Sequence, residues 1–230
     1  MKTSNILISF LTIIILASFT SDNKCEGYFP YKEGTELEYT NYNKKGKEES
    51  RSQIKLTEKK VTENGVEITM ATTVFDKKNE EAASGNFIIR CEGDKFFMDM
   101  SNMLPAETME SLGEMEVEIE SDFLEFPSNP SAGQSLPDGT MKITTMMNGV
   151  SMMTINVFVT DRKIEGFETI TTPAGTFECM KYTYNTNTKM MFSVETSSVS
   201  WLAKEVGNVK TETYNKGKLE GTSVLTAAKF

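Results

Sequence analysis

The sequence predicts an all-β protein: one large, strongly curved antiparallel sheet, built as a half-barrel, open barrel or sandwich, with one short helix. Three observations predict it. Apolar and polar residues alternate with period two over many short runs, as expected of strands with one buried and one wet face. Glycine- and asparagine-bearing turns separate those runs at short intervals. Helix-end chemistry is concentrated in a single short segment.

Taken in chain order, the first element is an export signal. Lys2 precedes an apolar run over residues 6–17, which turns polar at Thr20, Ser21, Asp22 and Asn23. A basic start, a short apolar stretch and a polar exit are the layout of a secretory signal peptide. The run is 12 residues long, whereas a spanning helix needs about 20. Residues 1–21 are therefore expected to be removed, and residues 22–230 to form a single antiparallel β domain with no stable membrane insertion after cleavage. Cys25 follows Asp22, Asn23 and Lys24 rather than a small apolar lipobox, so lipidation there would need a degenerate signal. The expected location is the periplasm, the cell envelope or the exterior.

Strands follow. Met153, Ile155, Val157 and Val159 alternate with Thr154, Asn156 and Phe158, which sets four aliphatics on one face and leaves Phe158 to make the other partly apolar. Residues 114–120 alternate strictly, with a carboxylate row opposite Met115, Val117 and Ile119. Turns are expected at Glu63-Asn64-Gly65, Glu92-Gly93-Asp94, Asn148-Gly149, Pro173-Ala174-Gly175 and Lys216-Gly217. Their spacing implies roughly ten to thirteen strands joined mostly by hairpins. Between strands, Pro105 near an apparent helix start, early acids and a terminal Gly113 predict a short helix over residues 105–112. An irregular Pro/Ser/Gly stretch follows over residues 127–139, a surface loop or a boundary between subdomains. Tyr42 to Lys47 near the start is similar to Tyr214 to Lys218 near the end, and both read as strand–turn–strand corners.

Composition excludes several function classes. The net charge is −9, which opposes nucleic acid and anionic surfaces as partners. There is no histidine, so Ser-His-Asp and Cys-His catalysis and mixed His/Cys zinc sites are excluded. No G-x-S-x-G or phosphate-cradling loop occurs, and Ser52-Gln53-Ile54-Lys55 matches a bare S-x-x-K without its companion motifs. Paired carboxylates are the remaining enzymatic route, but acids alternating along one strand face form a row rather than a converging pair. No enzyme activity, no cofactor and no metal site is expected. Three cysteines in an exported chain permit one disulfide and leave one thiol. Spacing alone does not choose the pair; Cys25 on the leading segment with Cys91 at a strand end is the expected staple, and Cys179 reads as a small buried hydrophobe.

Fifteen methionines are the compositional oddity, among them Met98, Met100 and the doublets Met146-Met147, Met152-Met153 and Met190-Met191. Thioethers fill irregular cores, line adaptable apolar pockets or, when clustered, hold Cu(I). In a strand a doublet sends one Met to each face, so the sheet is expected to be partly covered on both.

Cys25-Glu26-Gly27-Tyr28-Phe29-Pro30 with Gly34, Thr171-Thr172-Pro173-Ala174-Gly175-Thr176-Phe177-Glu178-Cys179, and Trp201-Leu202-Ala203-Lys204 through Gly207 and Lys210 resemble signatures of the TapB-like family of exported bacterial proteins of unknown function. The resemblance runs from about Cys25 to the C-terminus. It implies a curved antiparallel β domain similar to lipoprotein-carrier half-barrels and carries over no activity. The same residues also have a structural reading, with Tyr28, Phe29 and Pro30 clamping the first strand and Trp201 preceding a bend at Gly207.

The functional expectation is an exported, non-enzymatic protein that binds an apolar or peptidic ligand in the concave face of the sheet, with Met98, Met100, Phe158, Met180, Tyr182 and Trp201 as candidate lining. The alternatives are an envelope interaction module, recruited through edge strands or the acidic face over residues 114–122, and a carboxylate hydrolase. The partner is then an apolar ligand or an envelope protein.

Overall fold

The computed structural model describes residues 27–100 and 116–230. They form β1 (Glu36–Asn43), β2 (Glu48–Thr62), β3 (Gly65–Phe75), β4 (Glu81–Glu92), β5 (Lys95–Asp99), β6 (Glu116–Ser121) and β7 (Phe123–Pro127). They continue with β8 (Gly139–Met147), β9 (Val150–Thr172), β10 (Gly175–Lys189), β11 (Ser193–Ala203), β12 (Gly207–Asn215) and β13 (Lys218–Lys229). The described residues contain no α-helix. The short helix expected over residues 105–112 lies outside them, as do the signal segment, Cys25, Glu114 and Met115.

All five expected turns are two-residue hairpin connections, for example Asn148-Gly149 between β8 and β9 and Lys216-Gly217 between β12 and β13. In both of these the two residues have positive φ (53° and 74°, 50° and 74°). Such turns twist in the sense of the flanking strands, which is why Asn-Gly and Lys-Gly set the register here.

The strands make one 13-stranded sheet in the order β6-β8-β9-β10-β11-β12-β13-β1-β2-β3-β4-β5-β7. Its outermost strands, β6 and β7, are consecutive in the chain. Ser121 pairs with Met141 of β8, and two residues later Phe123 pairs with Asp99 of β5. The residue between, Asp122, donates its N–H to the Thr140 carbonyl (2.8 Å) and accepts from the Thr140 amide and hydroxyl (2.9 and 2.7 Å). One continuous stretch therefore links both ends of the sheet and brings it to a nearly closed barrel. The irregular stretch after β7 completes the seam rather than dividing the chain into subdomains: Gly133 and Leu136 donate to Ile164 and Arg162 carbonyls of β9, and Ile164 donates back to Gln134.

At the seam stands Arg162, 1 % exposed. Val157 and Val159 face inward, so strict alternation would turn Asp161 into the core. Instead the register of β9 against β10 shifts there, and Asp161 takes a left-handed φ of 52°. The bulge inserts one residue, sends Asp161 out to accept from Asn185 (2.8 Å) and turns Arg162 in. Arg162 donates Nε–H to the Tyr182 hydroxyl (2.7 Å) and Nη2–H to the Glu125 carbonyl of β7 (3.0 Å), and Nη1–H to the Pro137 carbonyl. Its guanidinium lies over the Phe126 ring, 4.7 Å from the centroid. One side chain thus ties β10, β7 and the seam segment together.

Replacing Arg162 by Leu leaves the Tyr182 hydroxyl and two carbonyls buried without their donor. Urea unfolding of R162L is expected to show a loss of about 3–5 kcal/mol, and R162K, which lacks the planar fork, to recover less than half of it.

Candidate functional site

The interior of the barrel is the natural place to look for a ligand, and the protein's own rings occupy it. Phe29, Phe96, Phe126, Tyr182 and Tyr184 follow one another with centroid separations of 4.9, 4.9, 5.1 and 4.9 Å. Phe29 comes from the segment before β1, Phe96 from β5, Phe126 from β7, and the tyrosines from β10, so the column joins the β5–β7 end of the sheet to its fourth strand from the other end. Around it pack Ile68 and Met70 of β3, Ile89 of β4, Met141 and Ile143 of β8, and Val159 and Ile164 of β9. Burial pushes the Tyr182 hydroxyl well above its usual pKa, against the smaller opposing effect of Arg162, so it stays a neutral partner of the guanidinium.

The six residues expected to line a ligand site do not converge on one. Met100, Met180 and Tyr182 are buried in this core, and Met98 packs against it. Trp201 belongs to a second cluster with Leu37, Tyr39, Cys179, Val209 and Leu225. Since Leu202 joins the first cluster while Trp201 and Ala203 join the second, β11 is covered on both faces, as the methionine doublets suggested for the sheet. Phe158 is half-buried, with the Lys189 ammonium 4.9 Å above its ring.

Trp201 has its own polar lid. Its Nε1–H donates to Glu168 (2.5 Å), Lys181 bridges to the same carboxylate (3.3 Å), and the Lys181 and Lys210 ammoniums lie 5.6 and 5.0 Å from the ring. The hydrogen bond from Trp201 leads the effects that hold the Glu168 carboxyl below its usual pKa. This cap shields the only tryptophan, leaving it 6 % exposed.

Tyr28, Phe29 and Pro30 clamp the structure as their sequence suggested. Phe29 is fully buried, Gly27 accepts from the Glu205 amide (2.9 Å), and a Cβ on Gly207 would come 3.0 Å from Pro30. Phe177, after the Pro173-Ala174 turn, is only partly buried, against the second cluster.

Two hollows at the surface of the described residues are small for a drug-sized ligand. One of about 160 Å³ lies between Leu37, Gln53, Lys55 and Ala228, and one of about 200 Å³ between Thr62, Asn64, Arg90 and Glu92. Neither includes any of the six candidates. The acidic row survives as Glu116, Glu118 and Glu120, exposed on the outermost strand, with Glu120 paired to Lys142 at 2.6 Å. Among the described residues no group of three His, Cys, Asp or Glu is placed to hold a metal ion.

Cys91 is disulfide-bonded, and Cys179 is free and buried. Burial pushes the Cys179 thiol up to about 11, with Glu178 and Glu168 adding to the effect. It is protonated and inert at neutral pH.

Two features had no readable signal. Nothing in the local spacing sets Arg162 apart from a surface cation; only the bulge at Asp161 turns it inward. Apart from Tyr182 and Tyr184, two residues apart on β10, the rings of the column are far apart in sequence.

A family model described as DUF3108-like matches residues 32–225. No curated protein matches the chain. Two solved structures are similar to it. One, from Bacteroides fragilis, is named as an exported protein with a YmcC-like fold; it is 25 % identical, with a TM-score of 0.77, over 90 % of this chain and all of that one. The other, from Parabacteroides distasonis, is named as a lipoprotein; it is 27 % identical, with a TM-score of 0.77, over 89 % of this chain and 99 % of that one. The family label is therefore DUF3108-like, where the sequence motifs had suggested TapB-like.

At pH 8 a thiol reagent is expected to leave Cys179 unmodified in the folded protein and to modify it fully in urea, read by peptide mass mapping. Above pH 9 the unfolded chain ionises this thiol first. Its contribution therefore favours unfolding as pH rises toward 11, and the C179A variant is expected to lose that part of the alkaline sensitivity.

Proposed function

We propose that this chain, which belongs to the DUF3108-like family, is an exported envelope protein acting as a non-enzymatic interaction module, working through its outer surface. The observation that carries this reading is the aromatic column. A curved sheet that filled its concave side with Phe29, Phe96, Phe126, Tyr182 and Tyr184 leaves an apolar or peptidic ligand no room there without expelling core rings, at about 3–5 kcal/mol for each large side chain displaced. The names of the two similar structures support export. What the surface offers a partner is an acidic outermost strand, β6, and charged or apolar hairpin tips. Among the described residues β6 pairs with β8 alone, which suits strand addition by a basic or neutral segment.

The test is crosslinking in intact cells followed by native mass spectrometry of the full chain purified from its own envelope. A polypeptide partner is expected, bound without a stoichiometric small molecule. Reversing the acidic row (E116K, E118K and E120K together) should abolish that crosslink while changing stability by less than about 1 kcal/mol, because these side chains are solvated. A retained lipid or small ligand in equimolar amount would return the function to the barrel interior.

A further inference from the structure

The antiparallel order of the sheet divides its connections between two rims. One rim carries five hairpin tips: β8–β9, β10–β11, β12–β13, β1–β2 and β3–β4. Their side chains are sorted. β8–β9 and β10–β11 expose large apolar residues: Met147 is 58 % exposed, Val150 62 %, Met152 58 %, Met190 43 %, Met191 94 % and Phe192 67 %, with Lys189 and Glu195 flanking the second tip. No charged residue occurs from Ile143 to Thr160. On the other three tips the connections over residues 44–47, 76–80 and 216–217 carry Lys44, Lys45, Lys47, Lys77, Lys78 and Lys216, all exposed, against Asp76 and Glu80.

Asp76 is turned back on its own turn, accepting from the Lys78 and Glu80 amides at 2.8 Å each. Further acids follow at the strand ends: Glu48, Glu49 and Glu81 are exposed, Glu220 meets Lys44 at 3.4 Å and Glu48 meets Arg51 at 3.6 Å. In a chain of net charge −9, the connections of one rim are thus apolar on two tips, basic on β1–β2 and β12–β13, and balanced on β3–β4, where Lys77 and Lys78 stand beside Asp76 and Glu80.

We propose that this rim docks on an anionic phospholipid surface, with the methionine and phenylalanine tips entering the acyl boundary and the lysine tips meeting headgroup phosphates. The proposal goes beyond the interaction-module reading by naming a lipid surface as a contact in its own right. Two independent features point to lipid. Protruding uncharged tips suit a soft interface better than a shaped pocket, and peripheral binding scales with the apolar area inserted plus the basic residues near the headgroups. The net acidity, which the whole-chain count set against such a surface, acts from too far away: screening falls off over about 8 Å in physiological salt. The residues of β10, at about 3.3 Å each, hold the opposite rim several screening lengths off.

Trp201 is the chain's one tryptophan and is capped, so the protein is ready for depth measurement. The probe is vesicles of phosphatidylcholine and phosphatidylglycerol with brominated acyl chains, added to the full chain. In the F192W variant the new tryptophan is expected to be quenched at least twofold and blue-shifted. Wild type, reporting Trp201 alone, and V61W, reporting the opposite rim beside the β2–β3 turn, are expected to show no quenching. Charge reversal in K44E/K45E/K77E/K78E is expected to weaken vesicle binding at least tenfold with unchanged thermal unfolding. Because the N-terminal segment is the same in every variant, differences between them read the rim. Unquenched emission at residue 192, equal quenching in V61W, or indifference to charge reversal would overturn the proposal. So would concentration-dependent self-association lost in M191Q/F192Q, which would assign the apolar tips to a second copy.

Discussion

A nearly closed sheet needs its two ends held together, and here that depends on a guanidinium that no carboxylate among the described residues answers. Arg162 sits in the core and satisfies its donors with two carbonyls and a phenol drawn from β7, the seam segment and β10. A buried cation without hydrogen bonds would cost far more than a fold of this size can spare. The arrangement is therefore all-or-none: unless Glu125, Pro137 and Tyr182 come together, Arg162 cannot be inside. That makes it a specificity device for closure as much as a source of stability, and the Asp161 bulge is the local backbone feature that aims it.

Closure decides what the concave side becomes. With β5 and β7 brought opposite β9 and β10, Phe96 and Phe126 stack at 4.9 Å and continue through Tyr182 to Tyr184. An open half-barrel of the same strands would present those rings to a ligand; the closed one uses them as its filling. What remains exposed is the outer side: strand β6, which among the described residues pairs with β8 alone, and the hairpin rims, where methionines that an interior would have hidden stand in solvent. The charge pattern follows the same division, since lysines concentrate in turns on one rim while acids spread along strands, so net charge misdescribes what an approaching surface meets.

Much of the fold was legible beforehand because its signals are local. Period-two alternation marked β6 and β9, and Asn148-Gly149 or Lys216-Gly217 can hardly do other than turn back a strand. The methionine doublets led to the expectation of a sheet partly covered on both faces; β11 is so covered, but the doublets themselves stand largely exposed at hairpin tips rather than beneath a second layer. What failed was the gathering of Met98, Met100, Phe158, Met180, Tyr182 and Trp201 into one lining, because side chains one residue apart on a strand point to opposite faces, and the list mixed both faces and two clusters.

The sequence by itself determined the strand content and the hairpin turns, since each depends on residues within a few positions of one another, and its lack of histidine excluded histidine chemistry. The tertiary structure alone decided that β6 and β7, neighbours in the chain, become the two ends of a 13-stranded sheet, that Arg162 rather than Asp161 faces inward, and that the interior is filled. Those outcomes depend on pairings between residues far apart and on one inserted residue that reverses the alternation, and neither leaves a trace in local spacing.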